Sequence, residues 1–263
     1  MTVLSQEQRA TSLEAMTSQK FDVLVIGGGV TGAGIALDAA ARGLSTAVVD
    51  AQDWAAGTSS RSSRLVHGGL RYLYNLDFKL VAEALRERGR LLTTIAPHLV
   101  EAQPFLWPLK TPVIERAYSA VGVGMYDALA RIGSKGRKTV PIQRHLSKAG
   151  AMRRFPEIKR NALVGAIEFY DARVDDARLV ITLIRTAVKY GAAAASRVKV
   201  TEVLKDGRGR ACGVKAVDLE NGNEFTIEAD RIINATGVWT EQTQELAGGT
   251  GGLKVLTSKG IHI

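Results

Sequence analysis

Phe21-Asp22-Val23-Leu24-Val25-Ile26-Gly27-Gly28-Gly29-Val30-Thr31-Gly32-Ala33-Gly34 reads as a strand, a turn and the start of a helix. Residues 21–26 form a short apolar run rich in β-branched side chains, the pattern of a buried strand. Gly27-Gly28-Gly29 supplies the turn. Residues 30–42 are small and Ala-rich, and Gly43 is a natural helix stop. Residues 45–50 repeat the apolar pattern, so strand, helix and strand succeed one another within about thirty residues, the signature of a βαβ unit with parallel pairing. The spacing Gly27-x-Gly29-x-x-Gly32 sits where a dinucleotide fingerprint belongs, after a strand and at the opening of a helix. Gly27 permits the tight turn, Gly29 lets backbone approach a pyrophosphate, and Gly32 lets helix and strand pack closely. Gly28 and Thr31 complete the phosphate-facing segment. The helix N-terminus adds unpaired N–H groups and a positive dipole end. Asp50 ends the second strand 18 residues after Gly32, where a carboxylate accepts hydrogen bonds from ribose hydroxyls. An acid there favours a free 2′-hydroxyl over a 2′-phosphate.

These residues alone do not separate FAD from NAD. The segment after the second strand bears on the choice. A simple NAD domain continues with alternating strands and helices. Here the chain runs into Gly57-Thr58-Ser59-Ser60-Arg61-Ser62-Ser63-Arg64-Leu65-Val66-His67-Gly68-Gly69-Leu70-Arg71-Tyr72. A loop so rich in hydroxyls, glycine and arginine suits a second ligand portion such as a ribityl chain and flavin ring. It suits a phosphate-binding surface loop equally well.

Beyond the loop, residues 78–93 predict an amphipathic helix, 105–109 a short strand among Pro97, Pro104 and Pro108, and 119–132 and 146–155 further helices. Residues 166–170 read as a strand. Residues 175–190 read as a helix with Asp175 or Asp176 near its N-terminus and Gly191 at its end. From 197 to 235 apolar and polar residues alternate around Asp206-Gly207 and Asn221-Gly222-Asn223, which predicts a β-meander. A strand then ends in the turn Asn234-Ala235-Thr236-Gly237, and residues 253–263 predict another strand pair. Trp239 and the 181–184 stripe read as core.

The 46% apolar fraction is ample for a packed core, and 263 residues suit one large or two interleaved domains. The single cysteine, Cys212, excludes an internal disulfide and fits a reducing compartment. Residues 1–20 are polar and predict a flexible tail, with no apolar run of the signal-peptide kind. The longest apolar stretch, 23–37, is broken by five glycines and is shorter than the roughly 20 residues a membrane span needs. The chain is therefore expected to be cytoplasmic, and at most attached to the cytoplasmic face of the membrane. Net charge is +9, and it is local: residues 131–160 carry ten basic side chains and one acid, Glu157. Such a cluster attracts anionic lipid, nucleic acid or an anionic substrate, or is simply a solvated face. Aromatic residues do not interleave with it, which argues against nucleic acid. No Cys, His or Asp spacing suggests a metal site.

Taken together, the sequence resembles the FAD-dependent glycerol-3-phosphate dehydrogenases. The resemblance rests on the Gly27–Gly34 turn, Thr58-Ser59-Ser60, His67-Gly68-Gly69-Leu70-Arg71-Tyr72-Leu73 and Asp171-Ala172-Arg173-Val174-Asp175-Asp176-Ala177-Arg178-Leu179. Asn234-Ala235-Thr236-Gly237-x-Trp239 and Lys259-Gly260-Ile261-His262 complete it. It implies an α/β fold in which a Rossmann-type FAD-binding domain of the glutathione-reductase type is interleaved with an α+β substrate domain, as in the D-amino-acid oxidase group. The expected division is a tail at 1–20, FAD-binding parts at 21–97 and 171–240, and substrate parts at 98–170 and 241–263. Family members are about twice as long, so the chain is expected to be truncated at its C-terminus. The implied reaction oxidises sn-glycerol 3-phosphate to dihydroxyacetone phosphate by hydride transfer to FAD, with electrons passed to a quinone.

The resemblance also distributes roles. His262 is the expected base beside the substrate, since histidine accepts a proton near neutral pH. Arg71 has a planar fork suited to phosphate or a developing oxyanion. Tyr72 hydrogen-bonds a substrate oxygen or packs as an aromatic. His67, Gly68 and Gly69 lie against the flavin or serve a structural turn. Thr58, Ser59, Ser60 and Ser63 are expected cofactor contacts, and Thr236 and Gly237 bring backbone close to the cofactor. Two other readings stay open: an oxidase of the same fold acting on an amino acid or amine, and an inert fragment that only binds FAD.

Overall fold

The computed structural model describes residues 4–111, 113–133, 139–249 and 254–256; for 71, 73, 74, 118, 132 and 133 it describes the backbone alone. In chain order the elements are α1 (Gln6–Ser18), β1 (Phe21–Ile26), α2 (Val30–Ala41), β2 (Thr46–Asp50), β3 (Leu65–Val66), α3 (Phe78–Arg90), β4 (Val100–Leu109) and α4 (Ile114–Gly133). Next come β5 (Arg144–Ser147), α5 (Lys148–Arg154), β6 (Gly165–Val174), α6 (Asp176–Lys189), β7 (Ala193–Ser196), β8 (Val198–Lys205), β9 (Ala211–Asp218), β10 (Glu224–Asn234) and α7 (Thr240–Leu246). They form two compact units, one of residues 1–63 with 176–263, the other of residues 64–175.

The first unit is built on a six-stranded sheet in the order β7-β2-β1-β10-β9-β8. β7, β2, β1 and β10 run parallel, and β9 and β8 continue antiparallel. β10 does double duty: Ala229–Asn234 pair with β1, whereas Glu224–Glu228 pair with β9. Parallel strands are covered on both faces, which is why β1 and β2 read as continuous apolar runs. Val23, Val25 and Val48 pack under the alanines of α2 and the Val180–Ile184 stripe of α6. Phe21, Leu24, Ile26 and Val49 face Met16 of α1, Val198, Val214 and Ile227. Leu24, Val25, Val48 and Val49 are fully buried, each such side chain contributing about 1.5–3 kcal/mol.

The expected flexible tail is instead helix α1. Ser5 caps it by accepting from the Gln8 N–H at 3.1 Å. Only Ser12 and Met16 of the helix are buried, so its sequence carries no apolar stripe to betray it. Its hold is polar. Arg9 Nη2 meets Asp218 Oδ1 at 2.6 Å, and Arg9 Nε donates to the Ser196 carbonyl. Gln8 Nε2 donates to the Ala194 carbonyl, and Ser12 Oγ accepts from the Ala194 N–H. Helix α1 thereby satisfies free backbone groups of the edge strand β7.

The second unit is an antiparallel sheet centred on β6, which pairs with β3, β4 and β5. β4 is ten residues long, twice the expected strand, and it contains Pro104 and Pro108. It is an edge strand, so prolines facing away from the ladder break nothing. Helix α4 starts earlier than predicted, and the expected helix 146–155 is divided into β5 and α5. Val81, Leu85, Tyr126 and Ala130 form one core cluster; Leu109, Val123, Ile167 and Phe169 form another. The unit boundaries fall at 63/64 and 175/176, where the sequence suggested 97/98 and 170/171, and α7 belongs with the parallel sheet. The β-meander is present as β8, β9 and β10. Of the strand pair expected at 253–263, residues 254–256 carry no regular structure and the rest lie outside the described residues.

Candidate functional site

β1 ends at Ile26, and the chain turns through Gly27 at φ +112°, a conformation that disfavours any side chain. A Cβ on Gly32 would stand 1.8 Å from the Gly27 carbonyl oxygen, so α2 rests directly on the turn that feeds it. The N-terminus of α2 has no cap from its own Gly29. Its first N–H, on Val30, donates instead to Ser59 Oγ at 2.9 Å. Ser59 is thus a hydroxyl at the positive end of a helix, where an anion is also favoured.

Asp50 has a task that the sequence did not reveal. Its Oδ2 accepts from the Gly28 N–H at 2.6 Å and its Oδ1 from the Gln52 N–H at 2.7 Å. The carboxylate clamps the glycine turn while retaining lone pairs for a further donor.

The strand end at Asn234 arrives beside this turn because the Ala235 N–H donates to the Ile26 carbonyl at 2.8 Å. Asn234 Oδ1 accepts from Thr236 Oγ1 at 2.7 Å, and Thr236 Oγ1 lies 3.1 Å from Thr243 Oγ1. The Thr236-Gly237 turn is therefore held by its own side chains. Ser62 Oγ hydrogen-bonds the Asp176 carboxylate, which ties the Ser-rich loop to the start of α6.

These pieces surround a cavity of about 920 Å³, within the size range of small-molecule and cofactor sites. Of the residues expected from sequence, Gly27, Gly29, Thr31, Asp50, Thr58, Ser59, Thr236 and Gly237 line it. Gly28 and Gly32 do not line it; Gly28 donates to Asp50 and Gly32 rests on Gly27, both of which do. Ser60 and Ser63 are off the cavity, and Ser62 lines it in their place. Trp239, expected in the core, borders the cavity and is 37% exposed. The sequence reading missed the residues 198–201 of β8 and Gln242, Thr243 and Leu246 of α7. No local motif marks them, because they reach the cavity through the sheet order alone.

The remaining expected residues belong to the second unit or lie outside the description. His67 is exposed, and Gly68 and Gly69 are buried. The Tyr72 N–H donates to the Gly69 carbonyl at 2.8 Å, which opens the 3-10 turn Leu70–Asn75 containing Arg71. Tyr72 is 39% exposed. Beneath them lies a buried polar cluster of Arg88, Tyr126 and Asp171. Burial, with the Asp171 carboxylate alongside, pushes the Tyr126 phenol well above its usual range and keeps it a neutral hydroxyl. His262 lies outside the described residues.

Residues 22–263 match the family model described as FAD dependent oxidoreductase. A glycerol-3-phosphate dehydrogenase of Mycobacterium leprae (strain TN) is 50% identical over 260 residues, which is 99% of this chain and 43% of that protein. An alpha-glycerophosphate oxidase of Streptococcus pyogenes serotype M1 is 39% identical over 98% of this chain and 42% of its own length. Among solved structures, the glycerol-3-phosphate dehydrogenase of Bacillus halodurans complexed with FAD superposes with a TM-score of 0.70 at 30% identity, covering 95% of this chain and 41% of that one. The chain thus spans less than half the length of the relatives it matches.

Proposed function

The chain belongs to the FAD-dependent oxidoreductase family, and from that premise we propose that it forms the cofactor-holding part of an enzyme that oxidises sn-glycerol 3-phosphate to dihydroxyacetone phosphate. The observation that carries this reading is the 50% identity to a glycerol-3-phosphate dehydrogenase across 99% of the chain. The cavity at the Gly27–Gly32 turn supports it, because its size, its helix N-terminus and its acid suit a dinucleotide.

In this reading Gly29, Thr31 and the α2 N-terminus hold the pyrophosphate, with Ser59 moving aside or donating to it. Asp50 takes the ribose hydroxyls with the lone pairs that its two backbone contacts leave free. Thr58, Ser62, Thr236 and Gly237, which line the same cavity, complete the cofactor contacts. FAD held there would supply the redox chemistry, as acceptor of a hydride from carbon 2 of the substrate. His67, Gly68 and Gly69 flank the flavin, Arg71 and Tyr72 hold substrate oxygens, and His262 takes the hydroxyl proton.

A quinone is the proposed electron acceptor, and residues 131–160 the proposed contact with anionic lipid at the cytoplasmic face. Arg144, Lys148, Arg153, Arg154, Lys159 and Arg160 of that segment are exposed, which supports it. No described helix is long and apolar enough to cross a membrane.

The test is anaerobic addition of glycerol 3-phosphate to the FAD-loaded chain while the flavin absorbance is followed. Bleaching that depends on glycerol 3-phosphate, and is absent with amino acids, is the expected result. Bleaching by an amino acid or amine instead would move the function to an oxidase of the same fold. Bound flavin that never bleaches would reduce the chain to a cofactor binder.

A further inference from the structure

The buried polar cluster of the second unit is not part of any role assigned above. Its geometry converges on one backbone group. Asp171 Oδ1 accepts from Arg88 Nη1 at 2.5 Å, from Tyr126 Oη at 2.7 Å and from the Gly68 N–H at 2.9 Å. The Gly68 N–H is shared with Tyr126 Oη at 2.8 Å. Arg88 Nη1 also reaches Tyr126 Oη at 3.3 Å and the Tyr170 carbonyl at 3.1 Å, and its guanidinium carbon lies 5.4 Å from the Tyr126 ring centroid.

The arrangement is costly. The side chains of Arg88 and Asp171 are 0% and 8% exposed. Arg88 Nε and Nη2 have no hydrogen-bond partner among the described residues. Desolvating an ion pair and leaving two donors unpaired adds little stability that an apolar cluster of equal volume would not add better. Such a cluster does fix geometry, because every angle in it is constrained. The space around Gly68 agrees. A Cβ on Gly68 would fall 2.4 Å from Tyr126 Oη and 2.1 Å from Leu85 Cδ2, so the backbone is seated on the cluster itself. The next turn hangs from the same seat through the bond from the Tyr72 N–H to the Gly69 carbonyl.

We propose that Arg88, Tyr126 and Asp171 are positioning residues that fix the His67-Gly68-Gly69 turn, and through it Arg71 and Tyr72, for the chemistry of the site. The link to chemistry rests on the functional reading above; the grip on the turn does not. The cluster acts from beneath. Tyr126 donates to Asp171, which can only accept, so its hydroxyl lone pairs are left for the Gly68 N–H and Arg88. That order fixes the direction of every hydrogen bond in the set.

The test is Tyr126→Phe in the full chain, which keeps the ring under Arg88 and removes only the hydroxyl. Val123→Ala, in another core cluster of the unit, serves as the control for general destabilisation. Amide exchange of Gly68 is expected to quicken on the order of tenfold in Tyr126→Phe, the factor for one lost neutral hydrogen bond, and to stay near wild type in the control. FAD affinity is expected to fall about fivefold with an altered visible flavin band, again unlike the control. Unchanged Gly68 exchange would overturn the proposal. Faster exchange with wild-type flavin affinity and spectrum would overturn it too, leaving a merely structural cluster. If the wild-type chain takes up no FAD, the functional reading falls and Gly68 exchange alone decides whether the cluster fixes the turn. If Tyr126→Phe does not fold, Arg88→Lys and Arg88→Met replace it. Lysine keeps the charge on Asp171 and should preserve slow exchange, whereas methionine should lose it; equal behaviour of the two would count against the cluster.

Discussion

Gly32 and Asp50 show how single residues shape the turn beside the cavity. A methyl group at Gly32 has nowhere to go, because the atom it meets is the Gly27 carbonyl oxygen of the turn. Gly32→Ala must push α2 off β1, and overpacking of this kind costs about 1–3 kcal/mol. The variant is expected to melt lower than wild type and to lose FAD binding out of proportion to its stability; thermal denaturation and a flavin titration would check both. Asp50→Asn is subtler. The amide keeps one acceptor but turns an NH₂ toward a backbone N–H, either that of Gly28 or that of Gln52. Leaving a donor facing a donor costs about 1–3 kcal/mol. FAD affinity in calorimetry is expected to fall at least about tenfold, whereas a wild-type affinity would show that Asp50 neither clamps the turn nor meets the ribose.

At the scale of elements, helix α1 depends on a charge pair that joins residues 209 apart in sequence. The Arg9 hydrogen bond holds the buried Asp218 carboxyl below its usual range. A carboxyl with a depressed folded pKa contributes stability above its unfolded value, and that stability is lost as pH falls through the folded value. Stability measured by chemical denaturation should therefore drop as pH falls below about 4, the ordinary carboxylate value. Arg9→Met should flatten that drop and lower stability near neutrality. A variant with an unchanged acid limb would show that the pair does not anchor the helix. The same element explains a failure of sequence reading. α1 offers a single buried apolar side chain, Met16, and no stripe, so periodicity had nothing to detect. β1 and α2 were legible because their burial is written in consecutive residues. β4 was read at half its length because Pro104 and Pro108 count against a strand unless the strand lies at an edge, and the edge is a tertiary fact.

For the whole molecule, the dinucleotide fingerprint made the parallel sheet and the turn beside its cavity legible, since Gly27, Gly28 and Gly32 each answer to a local steric demand. The chain divides into two compact units at 63/64 and 175/176. The Ser-rich loop and the start of α6 stay with the parallel sheet through contacts such as Ser62 to Asp176, which no composition shift announces. The side of the cavity made by β8 and α7 was invisible for the same reason. Charge is a property of the whole chain that concentrates in one segment, since residues 131–160 carry a balance equal to the full +9. Co-sedimentation with anionic vesicles is expected at low salt, fading as ionic strength rises, with no binding to neutral vesicles. Equal binding to both would remove the membrane from the account.

FAD is proposed to bind this chain at the Gly27–Gly32 turn. Equilibrium titration of the folded chain with FAD, monitored by quenching of flavin fluorescence, tests it most directly, with Gly32→Ala as the comparison. Saturable, equimolar uptake that Gly32→Ala abolishes is the predicted result. A folded chain that takes up no FAD, or takes it up equally well with alanine at position 32, would contradict the account.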